Sequence, residues 1–214
     1  MSTKPPHRKS RTPRQRPRSE LRNELRIIGG SWRGRRVRFT PLPELRPTPD
    51  RVRETLFNWL QPVIAGARCL DLYAGSGALG LEALSRGAAR VVFVDRERAV
   101  IEQLRSTLSV LQSTSAELQV MQAKRYLESA SPEAFDVVFL DPPFADETLR
   151  ATCDALEDRG WLAADALIYV ERPAREGAPN LPAHWSVRRS GRAGEVGYHL
   201  ARRQAASGAA GETR

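Results

Sequence analysis

A glycine-rich loop between a short apolar run and a helical segment is the sequence feature that most constrains the fold. The run 70–73 (LDLY) precedes Gly75, Gly77 and Gly80, and helical spacing begins at Leu79. Glycine is required where a backbone turns sharply and a ligand must approach without a Cβ in the way. A strand that ends in such a turn and opens a helix is typical of nucleotide-binding α/β folds.

The rest of the chain extends this strand and helix alternation. Short apolar runs at 68–72, 91–95, 118–121, 135–141 and 166–171 alternate with helical spacing at 79–86, 99–111 and 147–159. Such alternation predicts a mainly parallel sheet with helices on both faces. The last two runs, 185–189 and 196–202, leave no room for a helix between them. They predict an antiparallel hairpin at one edge of the sheet.

The segment before this α/β pattern has a different character. Residues 1–22 are rich in arginine and proline and predict a disordered basic tail, which either grips RNA or is merely solvated. The stretch 26–39 mixes apolar residues with glycine and arginine and predicts a basic β-hairpin. After a proline-rich loop, Thr48 is expected to cap a helix that has Pro49 in its first position and reaches about Leu60. Its spacing places Arg51 and Arg53 largely off the apolar face.

Charge and cysteine content narrow the classes of function. Lys and Arg total 34 against 25 Asp and Glu, a formal net charge of +9, and clustered basic side chains gain affinity for a polyanion by releasing its counterions. Cys69 and Cys153 are too few for a disulfide framework and lack metal-ligand spacing, so we expect reduced thiols, no metal site and a cytoplasmic protein. No apolar run reaches the roughly 18 residues of a membrane span. No hydrophobic stripe in the sequence indicates an oligomer interface, so a monomer is expected.

Two carboxylates flank the glycine loop and bear on which ligand it holds. Asp71 ends the strand before the loop, and Asp95 ends the next strand at the spacing expected for a residue that binds a ribose diol. Beside a pyrophosphate Asp71 would add repulsion, whereas it suits an ammonium group. The pair therefore favours S-adenosylmethionine over NAD, although the glycines also satisfy the dinucleotide pattern.

The run 135–140 is followed by Asp141-Pro142-Pro143-Phe144. Two prolines fix φ and remove backbone donors, which leaves carbonyl oxygens free to accept hydrogen bonds from a ligand. Asp141 and the carbonyl of Pro142 suit an exocyclic amine of a base, because together they accept both N–H hydrogens and direct the lone pair to a methyl donor. Phe144 is expected to stack on the extruded base. A carboxylate also matches the adjacent N1–H and N2–H donors of guanine better than the edge of adenine.

At this point the sequence resembles a known family, the bacterial RNA methyltransferases that form N2-methylguanine in small-subunit ribosomal RNA, often called RsmD. The resemblance is carried by the segments 26–35 (RIIGGSWRGR), 46–60 (RPTPDRVRETLFNWL), 71–87 (DLYAGSGALGLEALSRG), 141–144 (DPPF) and 160–171 (GWLAADALIYVE). The first two segments are far more specific than the glycine loop.

The resemblance implies a class I S-adenosylmethionine-dependent methyltransferase fold, which is Rossmann-like with a mostly parallel seven-stranded sheet. We expect a β-hairpin extension at 23–47 and a methyltransferase domain at 48–203, with a flexible tail at 204–214. The predicted disordered basic tail at 1–22 is an addition to the family pattern, and nothing is carried over onto it. The implied donor is S-adenosylmethionine, and the implied acceptor is a guanine in ribosomal RNA on an assembled or partly assembled small subunit.

The expected functional residues form three groups. The catalytic motif is Asp141, Pro142, Pro143 and Phe144. The donor pocket comprises Asp71, Tyr73, Gly75, Ser76, Gly77, Asp95, Arg96 and Ala123. The substrate-binding residues are Arg33, Arg35, Arg36, Arg46, Thr48, Arg51 and Arg53, although the helix at 48–60 is also consistent with simple solvated arginines.

Other functions remain open at this point. An N6-adenine methyltransferase on DNA or RNA would share the pocket and the tetrapeptide. An NAD-dependent oxidoreductase fits the glycine pattern but has no use for Asp71 or Asp141. A non-catalytic RNA-binding assembly factor fits the basic hairpin and tail, and for such a protein Asp141→Ala would leave function intact.

Overall fold

The computed structural model describes residues 23–39, 47–143 and 149–204. The strands are β1 Glu24–Arg26, β2 Arg36–Arg38, β3 Arg68–Asp71, β4 Arg90–Asp95, β5 Ala116–Val120, β6 Phe135–Leu140, β7 Leu162–Pro173, β8 Trp185–Ala193 and β9 Val196–Arg203. The α-helices are α1 Asp50–Leu60, α2 Ala78–Ser85, α3 Arg98–Val110, α4 Ala123–Ser129 and α5 Leu149–Asp158. A 3-10 helix spans Ala174–Glu176.

Strands β3 to β9 form one seven-stranded sheet in the order β5-β4-β3-β6-β7-β9-β8. Neighbouring strands from β5 to β7 are parallel, whereas β9 is antiparallel to both β7 and β8. The predicted parallel sheet and its antiparallel edge hairpin are therefore confirmed. The β3 to β6 step, where the strand order reverses direction, is the place at which open α/β sheets bind ligands.

The sheet is covered on both faces, as the alternation predicts. Helices α1, α2 and α3 pack on one face in a core that includes Phe57, Leu81 and Leu104. Helices α4 and α5 pack on the other, around Tyr126 and Leu156. Helix α4 was not predicted, because its seven residues are too few to establish a helical period.

Strands β1 and β2 form a small antiparallel sheet, which confirms the predicted hairpin. Its turn docks on the end of α2, where the backbone N–H of Ser31 donates to the carbonyl of Ser85 at 2.7 Å. Gly30 has φ +74°, and a Cβ placed there would lie 1.7 Å from the same carbonyl oxygen. The double glycine of the segment 26–35 therefore allows a close approach between hairpin and helix.

The start of α1 differs from the prediction. Pro49 occupies the N-cap position and no side chain caps the helix. The Thr48 side chain instead forms a hydrogen bond with Glu171, a residue of β7. The expected placement of Arg53 off the apolar face is also wrong, because its side chain is fully buried. The predicted tail at 1–22 lies outside the described residues, as does the predicted tail at 204–214 except for Gln204.

Candidate active site

Four acidic residues meet along the edge of the sheet where the parallel strands end. Asp71 is the last residue of β3 and Asp95 of β4, while Asp141 directly follows β6. The register pairs Leu140 with Val170, so Asp141 lies beside Glu171. Because the carboxyl ends of parallel strands share one edge, the residues predicted to bind the donor and those predicted to act on the base come together there.

The glycine loop connects this edge to α2. Gly75 and Gly77 have positive φ, +49° and +76°, conformations that strongly favour glycine. The backbone N–H of Gly75 donates to Oδ2 of Asp95 at 2.9 Å, which ties the loop to the end of β4. A Cβ at Gly80 would lie 2.2 Å from the ring of Phe93. The third glycine of the pattern therefore serves the packing of the helix against the strand.

Asp71 is hydrogen-bonded to Gly80, the third glycine of the pattern. Asp71 as a whole is 2% exposed, and its Oδ2 accepts the backbone N–H of Gly80 at 3.1 Å. Burial raises the pKa of Asp71 to about 7, and the charge of Asp95 acts in the same direction, while backbone hydrogen bonds from Gly80 and Tyr73 lower it. Burial disfavours the ionised form of this carboxylate, and a cation that binds next to it would stabilise that form.

The other residues predicted to bind the methyl donor differ in their exposure and in their contacts. Tyr73 is half-buried and its hydroxyl lies 3.3 Å from that of Thr152 on α5. Ser76 is buried in the loop. Arg96 is exposed and pairs with Glu97 at 3.2 Å. Ala123 is buried at the first turn of α4, so only its backbone and methyl group are available to border a ligand.

The tetrapeptide begins at the centre of this edge. Pro142 is buried and Pro143 is exposed, whereas Phe144 lies outside the described residues. Burial raises the pKa of Asp141 well above its ordinary value, and the charges of Glu171 and Asp71 add to this effect. Asp141 is therefore a carboxyl group whose ionisation depends on what binds beside it.

Sequence reasoning missed Glu171 as a functional candidate. Its carboxylate is 3% exposed and accepts the hydroxyl of Tyr169 at 2.8 Å and a hydrogen bond from Thr48. Its only sequence signal is an acidic residue at the end of an apolar run, which resembles any strand boundary. The strand register alone reveals that it neighbours Asp141.

The predicted substrate-binding arginines separate into two groups. Arg33, Arg35, Arg36 and Arg51 are exposed and available to a partner. Arg53 is buried, and it donates to the Thr48 carbonyl at 3.1 Å and to Asp50 Oδ1 at 2.6 Å. Its predicted contact with substrate is therefore corrected to a structural role. Arg46 lies outside the described residues.

Two kinds of feature are absent from the described part of the chain. In residues 23–39, 47–143 and 149–204, no group of three or more His, Cys, Asp or Glu residues is arranged to hold a metal ion. No helix in the same ranges is both long and apolar enough to cross a membrane.

Comparison with known proteins identifies the family. The family model described as "Conserved hypothetical protein 95" matches residues 25–202. Ribosomal RNA small subunit methyltransferase D of Escherichia coli is 51% identical over 183 residues, which is 85% of this chain and 91% of that protein. The protein of the same name from Haemophilus influenzae is 42% identical over 84% of this chain and 94% of its own length.

A solved structure agrees with this assignment. The Escherichia coli protein yhhF superposes with a TM-score of 0.80 at 50% identity, covering 86% of this chain and 99% of that one. The sheet order and this likeness show a class I Rossmann-like methyltransferase fold. With the glycine loop, the acidic edge and the docked hairpin in place, the chain belongs to the RsmD family of methyltransferases.

Proposed function

We propose that this protein transfers a methyl group from S-adenosylmethionine to the exocyclic N2 of a guanine in small-subunit ribosomal RNA, on an assembled or partly assembled subunit. The observation that carries the proposal is the position of Asp141 and Pro142 at the end of β6, next to Asp71 and the glycine loop at the end of β3. The name of the relatives that are 51% and 42% identical supports ribosomal RNA as the substrate.

The residues around the glycine loop fit S-adenosylmethionine better than a dinucleotide. Gly75 and Gly77 provide a turn without Cβ atoms, and Asp95 retains lone pairs for ribose hydroxyls beyond those that accept Gly75 and Glu97. The buried Asp71 favours a cation over a pyrophosphate. The co-substrate supplies a methyl group on a positively charged sulfur, and Tyr73, Ser76, Arg96 and Ala123 would complete its pocket.

The chemistry at Asp141 follows from the weak nucleophilicity of an exocyclic amine. Its lone pair is delocalised into the ring, so the amine must be rotated and its N–H groups must be held. Asp141 accepts one N–H and the carbonyl of Pro142 accepts the other, and both stabilise positive charge as it develops on nitrogen. Phe144 would stack on the base, with a gain on the order of 1–3 kcal/mol.

The choice of guanine rests on the hydrogen-bonding edge of the base. Guanine presents N1–H and N2–H as adjacent donors, whereas adenine presents an acceptor at N1 next to its amine. An ionised Asp141 offers the base acceptors and no donor. It therefore matches guanine and repels the N1 lone pair of adenine.

The RNA is expected to contact the exposed face of the hairpin. Arg33, Arg35 and Arg36 lie on or beside the β1–β2 turn and are exposed. Arg51 is exposed on α1, close in sequence to Arg46. Contacts of these residues with phosphates would supply affinity and orientation rather than base recognition.

The decisive experiment supplies the protein with S-adenosylmethionine labelled at the methyl group. The acceptors are small subunits lacking the modification, naked ribosomal RNA, and DNA. Nucleoside analysis should find labelled N2-methylguanosine from the subunits, and labelled N6-methyladenosine would contradict the proposal. Calorimetry should detect binding of S-adenosylmethionine and none of NAD.

Variants of Asp141 separate an enzyme from a binding factor. Asp141→Ala should lower kcat about 100-fold or more, because it removes an acceptor that acts in the transition state. The matched control is Asp165→Asn, an exposed residue of β7 whose partner is Arg202, and it should retain full activity. Unchanged methyl transfer by Asp141→Ala would leave only a non-catalytic role at this edge.

A further inference from the structure

The proposed catalytic Asp141 has a buried acidic neighbour that its own motif does not contain. Glu171 lies on the adjacent strand β7, one residue beyond the pair Leu140 and Val170. The two side chains project from the same face of the sheet, since paired residues of parallel strands point the same way. Glu171 is 3% exposed and Asp141 is half-buried, so solvent screens the interaction between their charges only in part.

Glu171 is held firmly in this place by groups from two elements. The Tyr169 hydroxyl donates to its Oε1 at 2.8 Å, and the Thr48 side chain donates a second hydrogen bond. The backbone of Thr48 is itself fixed, because its carbonyl accepts Nε of the buried Arg53 at 3.1 Å. The segment 46–60 therefore acts on the catalytic edge through Thr48.

These hydrogen bonds divide the roles of the two acids. Hydroxyl donors stabilise an ionised carboxylate and lower its pKa, and the hydroxyls of Tyr169 and Thr48 both donate to Glu171. Burial raises the pKa of Asp141, and the negative charges of Glu171 and Asp71 raise it further. Burial also raises the pKa of Glu171, but its two hydroxyl donors favour its ionised form, so we assign a proton shared by the pair to Asp141.

We propose that Glu171 is a positioning residue that makes Asp141 the acceptor of the proton released from the amine during methyl transfer. The inference rests on the proposed function of this site. In the step, the N2 lone pair forms the N–C bond as the methyl C–S bond breaks, and the electron pair of that bond goes to sulfur. The proton leaving N2 passes to the Asp141 carboxylate, which the negative charge of Glu171 makes more basic.

Several other polar groups on neighbouring elements lie around Asp141 and Glu171. Asp71 faces it from β3 and Tyr169 from β7, and both interact with Asp141. Tyr198 on β9 interacts with Tyr169, and Thr48 contributes its hydroxyl from the segment before α1. Within the described ranges, Glu171 and Asp71 are the charges that act on Asp141, and Glu171 is the larger contribution of the two.

The first test is the pH profile of single-turnover methyl transfer by Glu171→Gln, which keeps the size of the side chain and an oxygen for Tyr169 and Thr48. The rise of activity with pH should move to lower pH by about one unit or more, because Asp141 loses its neighbouring charge. The rate on the plateau should fall roughly 10- to 100-fold, because Asp141 becomes a weaker base. Glu171→Asp keeps the charge and should leave the position of the rise near that of the wild type.

A second measurement does not depend on activity. NMR titration of a carboxyl-labelled Asp141 in the whole protein should show a midpoint about one to three pH units lower in Glu171→Gln than in the wild type. An unchanged midpoint, or a uniform fall in rate at every pH, would overturn the inference and leave Glu171 with a purely structural role. Absence of methylated guanine with the wild-type protein would instead contradict the proposed function, and the titration would still decide the role of Glu171.

Discussion

Gly29 donates its backbone N–H to the buried carboxylate of Glu82 at 2.7 Å. Glu82 also accepts the N–H of Ile28 at 2.9 Å, so one side chain of α2 holds the turn of the hairpin. Helix α2 begins directly after the glycine loop. The basic hairpin and the proposed donor loop are therefore attached to opposite ends of the same short helix.

Substitution of Gly30 should detach this hairpin. In Gly30→Ala the new Cβ would meet the Ser85 carbonyl oxygen at 1.7 Å, and backbone cannot move aside cheaply. We expect a loss of about 1–3 kcal/mol in stability from overpacking, in addition to the cost of a positive φ. Hydrogen exchange should show the amides of Ile28 and Gly29 losing protection.

Gly34→Ala is the matched control for this change. Gly34 also has a positive φ, +82°, but nothing lies within 4 Å of its Cβ position. It should lose only the conformational cost of about 1–2 kcal/mol, and the docked amides should stay protected. Equal effects of the two variants would show that the close approach contributes nothing.

The second prediction concerns the buried ion pair behind the hairpin. Arg53 and Glu82 are both fully buried, with Nη1 and Oε2 3.5 Å apart. Arg53→Gln should lower the free energy of unfolding by about 1–3 kcal/mol, because the buried Glu82 loses one of its cationic partners and keeps Arg86, at 2.8 Å. Urea denaturation measures the change. Arg51→Gln, two residues away on the exposed side of α1, should change stability by less than about 0.5 kcal/mol.

These two arginines also show where sequence reasoning succeeded and where it failed. The helix at 48–60 was predicted from its apolar spacing, and the structure has it at Asp50–Leu60. The predicted spacing placed Arg53 largely off the apolar face, although it lies four and seven residues before Phe57 and Leu60, which is a spacing that shares one helical face. Its partners Glu82 and the carbonyl of Arg26 are distant in sequence, and no local pattern identifies them.

The candidate site follows the same division. The glycine loop and the Asp141 motif are local signals, because the turn, the strand end and the proposed ligand contacts occupy consecutive residues. The parallel order of β3, β4 and β6 then brings them together without further information. The role suggested for Glu171 depends on the pairing of β6 with β7, which is a long-range property of the sheet.

The third prediction is the pH dependence of stability that Asp71 produces. Its pKa is about 7 in the folded protein against an ordinary value of 3.8, so between these values the folded state binds more protons than the unfolded state. Stability should therefore fall as pH rises from about 4 to 7, by about 1.4 kcal/mol for each unit of pKa shift. Asp71→Asn cannot ionise, and its stability curve should be flatter over this window.

The comparison that isolates Asp71 is the difference between the two curves of unfolding free energy against pH. Asp141 and Glu171 also have raised pKa values and remain in both proteins. Because the charge of Asp71 itself acts on Asp141, the difference reports Asp71 together with its coupling to Asp141. Parallel curves for wild type and Asp71→Asn would contradict the assignment of a raised pKa to Asp71.

The last prediction tests the hairpin as an RNA-binding surface. Arg33, Arg35 and Arg36 are exposed, and their replacement by Gln together should weaken binding to ribosomal RNA while leaving the affinity for S-adenosylmethionine unchanged. Each lost phosphate contact should reduce the slope of log K against log salt concentration by about 0.7–0.9. The control replaces Lys124, Arg125 and Arg159, exposed residues of α4 and of the end of α5 on the opposite face of the sheet, and thereby removes the same charge. A specific binding surface predicts a reduced slope of log K against log salt concentration only for the hairpin variant. If affinity and slope fell equally in both triple variants, the attraction would come from net charge alone.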